Sequence, residues 1–151
     1  MIISVIGAGS CDKNTYSIAE DVGRLAAQRE AILITGGLGG VMEAASKGAN
    51  EAGGTVIGIL PGFSKSDANS YVTIPITTGL SHARNMKVVR SADAVIAVAG
   101  EYGTLSEIAI AFKLGKPVIG INTWENIEGV VNADNAEDAV KKAFELSGIS
   151  M

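Results

Sequence analysis

The sequence contains one cysteine, Cys11, and one histidine, His82. A single cysteine excludes an internal disulfide, and the pair cannot supply the four ligands of an ordinary structural zinc site. A reducing cytoplasm is the expected compartment, and no metal is expected. Positive charge is also scarce: 12 basic residues stand against 16 acidic ones, a formal charge of −4 with no run of like sign. The chain therefore has no electrostatic footprint for nucleic acid or an anionic membrane, and any phosphate must be bound locally. No apolar run reaches the roughly 18 residues of a membrane span, and Met1 leads directly into Ile2-Ile3-Ser4-Val5-Ile6 without a basic segment. A soluble protein without an export signal is the expectation.

Several catalytic signatures are missing too. The Gly-Lys pair lies in Leu114-Gly115-Lys116-Pro117, at a helix end, so there is no Walker A loop. No Gly-x-Ser-x-Gly elbow is present for acyl-enzyme chemistry. Gly7-Ala8-Gly9-Ser10 resembles half of a dinucleotide fingerprint, but Asp12 occupies the position of the third glycine. The segment 31–35 ends in Thr35 rather than an acid, so the usual partner of an NAD ribose is absent.

Glycine, by contrast, is abundant. The 151 residues include 19 glycines, where average usage predicts roughly 11. Short Ile/Val-rich runs at 2–6, 31–35, 55–60, 72–76, 94–99 and 117–121 alternate with Ala-rich helical patterns at 15–29, 41–52, 81–90 and 104–114. A further helix is expected after Asn135, burying Ala136, Ala139, Val140, Ala143 and Phe144. Continuous apolar strands separated by helices predict a single doubly wound α/β domain over 1–151, with a mostly parallel sheet and helices on both faces. Its ligands belong outside the carboxyl ends of the strands. The polar stretch 62–70 is the one loose segment, where a lid or binding loop could sit.

The strand-to-helix turns hold Gly7, Gly9, Gly36, Gly37, Gly39, Gly40 and Gly103, with Gly100 beside the last. The densest turn, Gly36-Gly37-Leu38-Gly39-Gly40-Val41, admits two readings: a tight turn that glycine alone fits, or a backbone cradle for phosphate or carboxylate at a helix start. Four glycines in six residues favour the cradle. Gly9 and Ser10 in the first turn, with Gly100, Glu101, Gly103 and Thr104 in the third, complete the expected ligand contacts.

Two side chains stand out as chemical candidates. Arg84 lies at the start of the expected helix 81–90, where a cation opposes the helix dipole and so suggests an external anion; Lys87, one turn on, either shares that anion or is solvated. Glu107 follows Thr104 by three residues, the spacing of a capping box, and on pattern alone the helix cap is the preferred reading.

The segments Gly36-Gly37-Leu38-Gly39-Gly40-Val41-Met42-Glu43-Ala44-Ala45, His82-Ala83-Arg84 and Gly103-Thr104-Leu105-Ser106-Glu107 resemble the lonely-guy family and its relatives, the molybdenum cofactor carrier proteins. The resemblance spans roughly 4–121. Lonely-guy proteins are dimeric Rossmann-like phosphoribohydrolases that release the base from cytokinin nucleoside monophosphates. The resemblance implies that Arg84, Gly103, Thr104 and Glu107 bind phosphate and ribose, and that Glu107 and Arg84 are catalytic if the chain is a hydrolase. The chain departs from the pattern where the family has lysine (Asn85), proline (Ala99) and a second glycine (Glu101). The stretches around Met42 and Ser106 are closer to the carrier branch, which implies binding of a phosphorylated pterin.

The expectation is a cytoplasmic homodimer or higher homo-oligomer that needs no cofactor for its function and takes an AMP-like nucleotide or a molybdopterin as ligand. The alternative is a phosphoribohydrolase of purine or cytokinin nucleoside 5′-monophosphates. A nucleotide-sensing module read out through its dimer interface is a third reading.

Overall fold

The computed structural model describes residues 1–149. Seven strands form one sheet: β1 (Ile2–Gly7), β2 (Ile32–Thr35), β3 (Val56–Leu60), β4 (Ile74–Thr77), β5 (Ala94–Val98), β6 (Val118–Ile121) and β7 (Val131–Asn132). Their order is β4-β3-β2-β1-β5-β6-β7, and every neighbouring pair is parallel. The helices are α1 (Lys13–Gln28), α2 (Val41–Glu51), α3 (Asn85–Arg90), α4 (Tyr102–Lys113) and α5 (Ala136–Ser147).

The continuous apolar runs arise because the sheet is buried on both sides. Ile3 and Val5 of β1, with Ala94, Ile96 and Val98 of β5, pack beneath α1, α2 and α5. Ile6, Val95 and Ala97, one residue out of phase, pack against Val88 and Val89 of α3 and Ile108 and Ala111 of α4. Period-2 alternation thus feeds two cores rather than one core and solvent. Small side chains let the helices approach closely; Ala44, Ala45 and Ala49 of α2 are all buried.

Asp12, which displaces the third glycine of a dinucleotide fingerprint, is the N-cap of α1 and accepts from the Thr15 amide at 2.8 Å. The helix therefore starts at Lys13, two residues before the expected position. Gly115 ends α4 in the left-handed conformation, with φ +73°, and the Lys116 amide reaches back to the Ala111 carbonyl at 2.9 Å.

Other elements also differ from the sequence-based expectation, among them β4, which runs Ile74–Thr77 rather than 72–76. The segment 81–90 divides into a 3₁₀ turn, Ser81–Arg84, followed by α3. β7 was not foreseen, because two residues carry no periodicity. α4 begins at Tyr102 rather than Thr104, which changes the reading of Glu107.

Candidate functional site

The order in which strands are added to the sheet reverses between β1 and β5, and that switch point opens a crevice at the carboxyl edge. A cavity of about 350 Å³ lies there, lined by the β1–α1 turn (Gly7, Ala8, Gly9, Ser10), the β5–α4 turn and first turns of α4 (Glu101, Gly103, Thr104, Glu107), and Met42, His82, Arg84 and Asn85.

The turn after β5 is built on unusual backbone. Ala99 has φ +52° and Gly100 φ +100°. A Cβ on Gly100 would stand 2.2 Å from Thr104 Oγ1, so glycine is required on both steric and conformational grounds. The Ala99 conformation is also closed to proline, whose ring fixes φ near −65°. The resemblance therefore breaks at this position for a backbone reason.

The N-cap of α4 is Glu101, and its side chain makes no capping bond. Thr104 and Glu107 lie inside the helix, three residues apart and hence on one face. The capping-box expectation for Glu107 is thereby corrected: the helix starts too early for that role, and the carboxyl lines the cavity. Burial pushes the Glu107 carboxyl up from the usual 4.5 to about 7, an effect that the nearby Arg84 charge partly opposes.

Arg84 is 9% exposed. One terminal nitrogen donates to Asn85 Oδ1, and the other makes a long 3.5 Å contact to the Gly36 carbonyl. Its Nε is buried and has no partner among the described residues. Desolvation lowers the Arg84 pKa, and Glu107 opposes that shift. A buried cation that shares a cavity wall with a protonatable carboxyl suits a ligand with one strongly charged oxygen-rich group.

Of the sequence-predicted contacts, Gly9, Ser10, Arg84, Glu101, Gly103, Thr104 and Glu107 meet at this cavity. Gly36, Gly37, Leu38, Gly39, Gly40 and Val41 do not reach its wall, and Gly100 lines a neighbouring cavity. In the 36–41 turn the Gly37 amide donates to Thr35 Oγ1 at 3.0 Å and the Val41 amide to the Ala8 carbonyl at 2.9 Å. Gly40, at φ +62°, would place a Cβ 2.3 Å from the Ala8 carbonyl oxygen. Gly39 and Gly40 bring the β2–α2 turn against the β1–α1 turn, Gly37 lies against Leu60 and Gly58 of β3, and Gly36 supplies the carbonyl that Arg84 contacts.

Lys87 is exposed and lies outside the cavity wall. The 62–70 loop does not line it either; Asn69 ties the loop to the glycine turn, donating from its side chain to Leu38 at 2.9 Å and from its backbone to Gly37 at 2.9 Å. Met42, His82 and Asn85 line the site without having been singled out as contacts. Asn85 was visible only as a departure from the family's lysine, yet it is 8% exposed and orients Arg84.

A model of the SLOG cluster4 family matches residues 1–147. An uncharacterized protein of Archaeoglobus fulgidus is 51% identical over 147 residues, covering 97% of both chains. The cytokinin riboside 5′-monophosphate phosphoribohydrolase LOG5 of Arabidopsis thaliana is 33% identical over 106 residues, covering 68% of this chain and 46% of that protein. This chain thus spans about half the length of that relative. Among solved structures, the molybdenum cofactor binding protein of Rippkaea orientalis superposes with a TM-score of 0.91 at 37% identity, covering 96% of each chain. The Moco carrier protein of Chlamydomonas reinhardtii gives a TM-score of 0.86 at 37% identity, again with 96% coverage of both.

Proposed function

The chain belongs to the SLOG cluster4 family, and from that premise we propose that it binds a phosphorylated small molecule, a nucleotide or a molybdopterin-type cofactor, in the crevice between β1 and β5. One observation carries the reading: the guanidinium of Arg84, 9% exposed and in no ion pair among the described residues, lines a cavity walled by glycine-bearing turns. A phosphate supplies the counter-charge that the guanidinium lacks, and Gly9, Ser10, Gly103 and Thr104 offer close approach with little side-chain bulk. The similarity to proteins described as molybdenum cofactor binding or carrier proteins supports molybdopterin as cargo. The working form is a single-domain cytoplasmic homodimer that uses no resident cofactor.

Calorimetry with inorganic phosphate, ribose 5-phosphate, AMP and a molybdopterin preparation tests this reading. At least one phosphorylated ligand binds the parent, and Arg84→Ala abolishes or strongly weakens that binding. Absence of binding by all four overturns the proposal.

A second reading, phosphoribohydrolase action on a nucleoside 5′-monophosphate, is favoured by the neutral-range titration of Glu107. A carboxyl poised near pH 7 is suited to moving a proton at the scissile bond or orienting water toward the anomeric carbon. Incubation with AMP and cytokinin ribotides, followed by assay of free base and ribose 5-phosphate, decides it. Hydrolysis requires base release that disappears in Glu107→Gln; no release leaves a binding protein.

A further inference from the structure

A second cavity of about 410 Å³ opens at the carboxyl end of β6, lined by Gly100, Asn122, Thr123, Trp124, Glu125, Asn126 and Ile127. It adjoins the first: Gly100 belongs to its wall, and the next residue, Glu101, belongs to the wall of the Arg84 cavity. Both volumes fall in the roughly 300–1,000 Å³ range of small-molecule sites.

Their chemistry is complementary. The first cavity holds Arg84; the second holds no lysine or arginine, one carboxylate, two side-chain amides and an indole. It therefore has no attraction for phosphate and suits an uncharged, planar group with N–H donors.

The indole is held in place. Trp124 packs partly against the second core, and its Nε1 donates to the Glu101 carbonyl at 3.1 Å. Thr123 Oγ1 donates to the Ala99 carbonyl at 2.6 Å, a second tie between the β6 loop and the β5–α4 turn. Tyr102 stands beside the indole with ring centroids 6.0 Å apart and planes tilted by 35°, and it is 80% exposed. The chain has one tryptophan, three tyrosines and three phenylalanines, and two of these seven aromatic residues meet at this edge of the sheet. Fixed aromatic faces bind flat rings by stacking without ordering cost at the moment of binding.

We propose that Trp124, with Tyr102 as its neighbour, forms the stacking shelf for the heterocycle of the ligand whose phosphate lies on Arg84. Glu125, Asn122 and Asn126 meet the ring's edge. A carboxylate accepts well from adjacent ring N–H and amino groups, as carried by guanine and by a pterin. The inference rests on the phosphate reading for the ligand's other end, but the shelf is testable alone.

Because Trp124 is the sole tryptophan, its fluorescence reports on the shelf directly. Titration with GMP and with guanosine quenches and shifts the emission, whereas ribose 5-phosphate leaves it unchanged. By calorimetry, Trp124→Leu weakens GMP at least about tenfold without altering ribose 5-phosphate affinity. Tyr102→Ser, which keeps the probe, gives a smaller loss and an unchanged far-ultraviolet spectrum. Guanosine quenching with no binding of inorganic phosphate, ribose 5-phosphate, AMP or the molybdopterin preparation leaves the shelf standing and overturns the phosphate reading. Ribose 5-phosphate binding as tight as GMP, with no quenching by either GMP or guanosine, overturns the shelf. Absence of every one of these responses overturns both.

Discussion

Arg84 and Glu107 line one cavity from separate elements, both buried, without closing an ion pair. The ion pairs among the described residues are Arg24–Asp21, Lys47–Glu20, Lys141–Glu145 and Lys142–Asp138. Arg84 and Glu107 are 9% and 8% exposed, and each moves the other's titration. Each has lost water without the other making up for it, and an anion on the cavity wall would satisfy the cation while favouring the protonated, neutral form of the carboxyl.

The first prediction follows from Glu107. Its folded-state pKa of about 7 lies above the usual 4.5, so the folded chain binds more protons than the unfolded chain between those values. Stability then falls as pH rises through that window and levels off above it, by about 3 kcal/mol at order of magnitude. Glu107→Gln removes this component. Urea unfolding across about pH 4 to 8 is expected to show a shallower slope and a more stable variant on the alkaline side; a slope equal to the parent's contradicts the assignment.

Arg84 gives the second. Losing its charge-assisted hydrogen bonds is expected to weaken a phosphate ester by about ten- to a hundredfold. Arg84→Lys recovers only part of this, because an ammonium lacks the guanidinium fork and its Nε donor. Removal of the cation also takes away the group holding Glu107 down. The carboxyl of Arg84→Ala therefore titrates above that of the parent, which carbon-detected NMR measures.

Anion binding near Glu107 favours its protonated form, so ligand binding near pH 7 takes up a proton. Calorimetric enthalpies should vary with the ionisation enthalpy of the buffer, and that variation should shrink in Glu107→Gln. Identical buffer dependence in parent and variant would place the proton elsewhere.

Gly40 is the most constrained glycine of its turn. Its φ of +62° and the 2.3 Å approach of an added Cβ to the Ala8 carbonyl predict that Gly40→Ala destabilises by more than about 2 kcal/mol. Chemical denaturation measures the loss, and a shift below about 0.5 kcal/mol counts against the packing account.

Glu30 supplies the opposite case. It follows α1 with φ +63°, and its amide donates to the Ala27 carbonyl at 2.9 Å, the arrangement that glycine normally occupies at a helix end. Glu30→Gly is expected to raise stability by about 1 kcal/mol, seen as a higher thermal midpoint with ligand affinity unchanged.

The parallel α/β architecture was written in the local pattern. Ile96 and Ala97 point to opposite cores, so β5 has no polar face, and a run with no polar face marks a strand buried on both sides. The small residues of α1 and α2 likewise go with close packing on the sheet, and the glycine-bearing turns lie at the carboxyl edge where the cavity opens. The roles of individual residues were decided elsewhere. Whether Glu107 caps a helix or lines a cavity depends on where α4 begins, and the left-handed turn at Ala99 and Gly100 starts it two residues early. Whether the 36–41 glycines face a ligand or a neighbouring turn depends on the Ala8 carbonyl, more than thirty positions away in the chain. Trp124 acquires a fixed orientation only through the Glu101 carbonyl. Periodicity and turn chemistry are properties of a few consecutive residues, so the sequence carries them; burial, charge coupling and cavity walls are made by groups distant along the chain, and the tertiary fold alone brings those together.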